Sequence, residues 1–186
     1  CLRIPGWVRT DGPMPSDLYR FANSRNVDWE VKVNDKRVSV SQLDHGYVRI
    51  SRAWREGDTV SLELPMPVRR VYSHPKVKPT KDKVALMRGP LVYALEGCDN
   101  DFNVLKEALA DKPDFKWQHK IDLLGGVTVV KGAATTNTGK KAEFTAIPYY
   151  AWQNRGIHRM TAWFYKDASA LPGAAGSVDP DPDNLV

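Results

Sequence analysis

Residues 29–40 read WEVKVNDKRVSV, and their pattern decides the fold class. Trp29, Val31 and Val33 alternate with Glu30 and Lys32, the two-residue period of a strand with one buried face. Asn34 and Asp35, both tolerant of positive φ, follow at once, and Val38 and Val40 resume the alternation. That combination predicts a β-hairpin. Working outward, Gly46 leads into Tyr47-Val48-Arg49-Ile50, and Glu56-Gly57-Asp58 makes a turn. Val60, Leu62 and Leu64 alternate with Ser61 and Glu63 until Pro65 and Pro67 stop the strand, since proline cannot donate to a ladder.

The same texture continues downstream. A strand at Val84–Met87 turns at Arg88-Gly89-Pro90 and returns as Leu91–Leu95. Further strands are expected at Lys120–Leu123, Val127–Lys131, Glu143–Ile147 and Met160–Tyr165. Gly132–Lys141, small, polar and basic, predicts an exposed hairpin tip. The spacing predicts one helix, over 101–112, where Val104, Leu105, Ala108 and Leu109 share a face and Pro113 closes it. Turn signals about every ten residues, with almost no helix between them, predict an all-β chain. The expected architecture is two antiparallel β-sandwich or jelly-roll modules with at most one short helix. Residues 69–83, rich in Lys and Arg and broken by Pro75 and Pro79, read as the connection. The modules then span 1–83 and 84–166, and 167–186, with three aspartates and no base after residue 168, reads as a disordered tail.

Composition narrows the class without naming a function. The 186 residues carry 27 Lys plus Arg against 22 Asp plus Glu, a net charge of +5, with 42% hydrophobic residues, as in folded domains. No apolar run approaches the roughly 18 residues of a membrane-spanning helix. Cys1-Leu2-Arg3-Ile4-Pro5 reads as folded-domain sequence rather than a signal peptide. The basic segment 69–83 lacks interleaved aromatics, Tyr72 standing alone, so no nucleic-acid partner is expected.

Candidate chemistry is sparse. Cys1 and Cys98 form no Cys-x-x-Cys motif, and whether they pair is open. His45, His74, His119 and His158 are scattered singly, which predicts no metal site. Glu96, Asp99 and Asp101 follow the Leu91–Leu95 strand. Such acids could hold calcium or act as an acid/base pair, but without ordered ligand spacing a solvated or turn-capping role is the expectation. No Gly-x-Ser-x-Gly elbow or phosphate loop occurs, so no catalytic, cofactor or metal residue is assigned. The aromatics carry more. Tyr149, Tyr150 and Trp152 lie beside Gln153, Asn154 and Arg155, flat rings next to amide and guanidinium donors, as a sugar-binding or inter-domain surface requires. Filling a core is the plainer alternative.

Several segments together resemble one family in order: Leu2-Arg3-Ile4-Pro5-Gly6-Trp7, Pro15–Phe21, Val31–Asn34, Gly46-Tyr47, Trp54–Asp58, Leu64–Arg70, Val84–Leu86, Arg88–Tyr93, Asp122–Val127, and Ile147–Trp152 with Asn154-Arg155-Gly156. Over about residues 1–165 the chain resembles the C-terminal portion of the β-L-arabinofuranosidase-like proteins, glycoside hydrolase family 127. The resemblance implies an N-terminal (α/α)-barrel catalytic domain followed by β-sandwiches. Its cysteine nucleophile, the zinc held by further cysteines and a glutamate, and a second glutamate as acid/base would all lie upstream of Leu2. Neither Cys1 nor Cys98 matches those positions, and no cysteine–glutamate cluster is expected here. Zinc is thus expected only in the catalytic domain, with no cofactor in this chain.

The implied partners are the protein's own catalytic domain, an arabinose-containing glycan and a second copy of the chain, with Arg69, Arg70 and the Tyr149–Arg155 segment as contact candidates. The first sandwich is expected to lack its earliest strands, and the family suggests a periplasmic or secreted location. The rival reading is a carbohydrate-binding module, with Tyr149, Tyr150 and Trp152 stacking on the sugar and Asn154 and Arg155 meeting its hydroxyls.

Overall fold

Asn34 and Asp35 adopt φ of 51° and 61°, so the hairpin read from residues 29–40 turns where both residues tolerate the left-handed region. The computed structural model describes residues 1–9, 12–14, 16–22, 27–110 and 114–171. Among them lie fifteen strands. Those of the first part are β1 (Leu2–Arg3), β2 (Tyr19–Phe21), β3 (Glu30–Val33), β4 (Lys36–Arg37), β5 (Tyr47–Val48), β6 (Val60–Glu63) and β7 (Val68–Ser73). The second part holds β8 (Lys83–Arg88), β9 (Leu91–Glu96), β10 (Glu107–Leu109), β11 (Lys116–Lys120), β12 (Val127–Thr136), β13 (Lys141–Pro148), β14 (Met160–Thr161) and β15 (Trp163–Tyr165).

Two small sheets, β1–β5 and β4–β3–β6, enclose the first core. Ile4, Val8, Val27, Val31 and Val48 are buried there, flanked by Trp7, Trp29, Leu62 and Leu64. The alternation in the sequence thus delivers its apolar face inward.

The remaining strands behave differently. Pairings run β8–β9–β13–β12–β10–β15 and back to β8, so this sheet closes into a barrel. Closure removes the free edges that an open sheet would expose. Leu86, Tyr93, Leu95, Leu109, Val130, Ala134, Phe144 and Phe164 fill the interior. Phe144 sits 5.5 Å from Phe164 and 6.5 Å from Phe115, ring centroid to centroid, at 54° and 62°, pairings each worth about 0.5–1.5 kcal/mol beyond burial. A Cβ on Gly132 would lie 2.8 Å from Phe144 and 3.2 Å from Phe115, so glycine is what lets those rings in.

Several expectations are corrected. No helix forms over the described part of 101–112, and residues 111–113 lie outside the described residues. Val104–Lys106 makes one 3-10 turn, capped by Asn103 accepting from the Leu105 N–H, and Glu107–Leu109 becomes β10. Its backbone is taken by β12 on one side and β15 on the other, and these long-range pairings outweigh local helical spacing. The expected connection at 69–83 begins with β7, bonded to β2 and β8. The boundary placed near residue 83 therefore falls within a continuous run of paired strands. Gly132–Thr136, expected in an exposed tip, extends β12 instead. The strand expected at Lys120–Leu123 lies earlier, as β11. Met160–Tyr165 breaks into β14, on β9, and β15, on β8. Residues 167–171 are not tail: Asp167 caps a 3-10 turn and Leu171 is buried, whereas 172–186 lie outside the described residues. Cys1 and Cys98 are both free. No helix among the described residues is long and apolar enough to cross a membrane.

Candidate functional site

The aromatic segment is fixed by a buried carboxylate. Glu96 ends β9 and is 1% exposed. Its Oε1 accepts from the Gln153 N–H at 2.7 Å, and its Oε2 from the Arg155 guanidinium at 2.5 Å. Asp99 accepts twice from the same guanidinium, at 2.6 and 2.5 Å. The bonds to Asp99, then the one to Glu96, push the Arg155 pKa above its ordinary value. Asn100 completes the knot, donating to the Glu96 and Thr145 carbonyls and accepting from the Thr145 N–H. Gln153 at φ 61° and Gly156 at φ 101° bend the loop back onto this acid pair.

Glu96 therefore does not take the solvated role expected of it. The carboxylate lies at a strand end that the fold buries, and Arg155, 59 residues away, neutralises it. The expectation of no cysteine–glutamate cluster is also corrected. Cys98 Sγ lies 3.7 Å from Glu96 Oε2, and Glu96, Cys98 and Asp99 present donor atoms all within 4.8 Å of one another. This set does not fit the zinc site implied by the family resemblance. It supplies one thiol, whose pKa is pushed up by burial and then by Asp99, and two acids already bonded to a guanidinium.

What the knot positions is a ledge. Tyr149–Ala151 makes a 3-10 turn directly after β13. Tyr149 and Trp152 stack with centroids 6.0 Å apart and planes 23° from parallel. Tyr149 is 48% exposed, Tyr150 64% and Ile157 91%. Trp152 is half-buried, with its indole N–H buried and unpartnered.

The other candidates lie elsewhere or are occupied. Asn154 donates to the Ala151 and Trp152 carbonyls, and Arg155 is held by the acids. Arg69 lies 3.4 Å over the Phe21 ring and donates to the Trp7 carbonyl; Arg70 donates to the Ala110 carbonyl. Both arginines thus tie parts of this chain together, away from the ledge. Sequence reasoning missed Glu96 as the anchor, and only its apolar neighbours in Leu91–Leu95 hinted that the strand was buried on both faces.

Comparison with known proteins agrees with this architecture. Residues 68–165 match the model of the glycoside hydrolase family 127 C-terminal domain. Residues 1–66 match that of the β-L-arabinofuranosidase GH127 middle domain. The chain is 32% identical over 181 residues to a non-reducing end β-L-arabinofuranosidase of Bifidobacterium longum subsp. longum, covering 86% of this chain and 24% of that protein. A solved GH127 β-arabinofuranosidase superposes with a TM-score of 0.82 at 40% identity, over 91% of this chain and 28% of that one. A GH127 β-L-arabinofuranosidase from Geobacillus stearothermophilus T6 gives 0.74 at 36%, over 89% and 26%. The chain spans about a quarter of the length of each of these relatives.

Proposed function

Since the chain belongs to glycoside hydrolase family 127, we propose that it is the non-catalytic C-terminal region of a β-L-arabinofuranosidase-like enzyme. Its task is to brace the catalytic portion of that enzyme and flank its substrate cleft. The observation that carries this reading is the match to middle and C-terminal domain models in succession, over a quarter of the relatives' length. Physical support comes from the ledge: a pinned loop offering Tyr149, Tyr150 and Ile157 to solvent gains by docking, as apolar interface cores do. Zinc and the reacting cysteine belong, on this reading, to the catalytic portion.

The test is an assay on an aryl β-L-arabinofuranoside. This chain alone should give no turnover, whereas the catalytic portion of the Bifidobacterium relative should gain stability or rate when the chain is added. Turnover that survives purification and disappears in Cys98→Ala overturns the proposal.

The carbohydrate-binding reading of the ledge keeps one supporting observation, the exposure of Tyr149 and Tyr150. The partners it needs for hydroxyls, the Asn154 amide and the two terminal guanidinium nitrogens of Arg155, donate inside the protein. A second copy of the chain seated on the ledge is the remaining occupant, and sedimentation of the chain alone detects it.

A further inference from the structure

Beyond the ledge, two buried side-chain atoms among the described residues have no hydrogen-bond partner, Arg88 Nε and Glu107 Oε2, and only the second is on a carboxylate. Glu107 is 2% exposed, and its Oε2 is buried without any hydrogen bond. Folded proteins rarely leave such an oxygen unmatched, because it loses its water and gains nothing in return. The residue begins β10, opposite Thr136 of β12, and lies in the wall of a cleft of about 550 Å³ between residues 99–103 and the 136–143 hairpin. That volume falls within the range of small-molecule sites.

The chemistry of the walls selects the ligand. Asp101, Glu107 and Glu143 face the same space as Lys140 and Lys141. A metal cation would meet the two ammonium groups, and an inorganic anion would meet the carboxylates. Among the described residues, no group of three metal-binding side chains includes Glu107. A neutral ligand that both donates and accepts meets neither repulsion. Asn103, Asn137 and Thr138 add amide and hydroxyl groups, and Phe102 offers an apolar face.

We propose that this cleft is a binding site for a neutral carbohydrate, with the Glu107 carboxyl bonding a ligand hydroxyl from its floor. Burial pushes the Glu107 pKa up to about 7, so near neutrality the carboxyl is protonated about half the time and serves as donor as well as acceptor. The site is separate from the Tyr149–Ile157 ledge, so its failure leaves the scaffold proposal standing.

The test is a titration of the full chain, followed residue by residue by amide NMR, with L-arabinose, short arabino-oligosaccharides, calcium chloride and inorganic phosphate in parallel. Saturable shifts at Asn103, Glu107 and 136–140 with the sugars, and not with either salt, are expected. Glu107→Met, which removes the polar atoms at similar volume, should weaken sugar binding at least tenfold. Asn137→Ala, on the hairpin turn, gives the same reading with little risk to the fold. Shifts produced by calcium or phosphate, shifts confined to the Tyr149–Arg155 loop, no saturable response, or unchanged affinity in Asn137→Ala each overturn the proposal.

Discussion

Two glutamates, Glu96 and Glu107, are almost equally buried, yet their surroundings set opposite consequences. Glu96 meets a guanidinium and a backbone N–H. Removing the cation while leaving the acid strands a buried charge, which typically costs about 3–5 kcal/mol. Arg155→Met should therefore lower the unfolding free energy by that order in a denaturant titration, and a loss under 1 kcal/mol would contradict the role given to the pair. For Glu107, burial raises the folded-state pKa from 4.5 to about 7. Below pH 4.5 folded and unfolded chains both hold the proton, and this group imposes no penalty. Between 4.5 and 7 the unfolded chain releases it first, so stability falls as pH rises, by up to about 3 kcal/mol, and levels off above 7. Asp101, Lys140, Lys141 and Glu143 share its cleft. Glu107→Gln should raise the melting temperature at pH 8 and flatten the slope from pH 5 to 7; an unchanged slope would place the pH dependence elsewhere.

At the level of strands, packing decides what spacing leaves open. β12 holds adjacent valines, Val129 and Val130, that face opposite ways, one beneath the 121–126 loop and one inside the barrel. Gly132 lies on the inward side, two residues on. Gly132→Ala should cost about 1–3 kcal/mol, as overfilled cores do, because the nearest obstacles are the Phe144 and Phe115 rings rather than a flexible chain end. Thermal unfolding measures it, and a neutral result would mean that Phe144 can move aside. The contrast also shows what the sequence could reveal. The Asn34-Asp35 hairpin was legible because its turn and both strands lie within a dozen residues. β10 was not, since its partners are 134–136 and Tyr165 and its local spacing imitates a helix. β11 was displaced because every residue of Lys116–Lys120 is exposed, leaving no alternation to read. The aromatic cluster was visible as composition. Its anchor was not, because Glu96 and Arg155 meet only once β9 and the 153–159 loop are folded together.

For the whole molecule, the ledge is an exposed apolar feature that the chain's own packing leaves unexplained. Single exposed apolar side chains are ordinary on protein surfaces. Here, though, Tyr149, Tyr150 and Ile157 occupy one loop that a buried ion pair holds in place, and rigid, preorganised apolar groups lose little entropy on docking. On the scaffold proposal they face the catalytic portion, and rings at the centre of such a contact carry a disproportionate share of its free energy. Tyr150→Ser combined with Ile157→Ser removes apolar area without touching Glu96, Asp99 or Arg155. The double variant should unfold within about 0.5 kcal/mol of the parent, because surface changes away from caps and cores are nearly neutral. Its affinity for the catalytic portion of a family relative should fall at least tenfold, a change of about 1.4 kcal/mol, in a calorimetric titration. An affinity equal to the parent's would move the docking face off the ledge. Weaker self-association in sedimentation, with the heterologous affinity intact, would assign the ledge to a second copy of this chain.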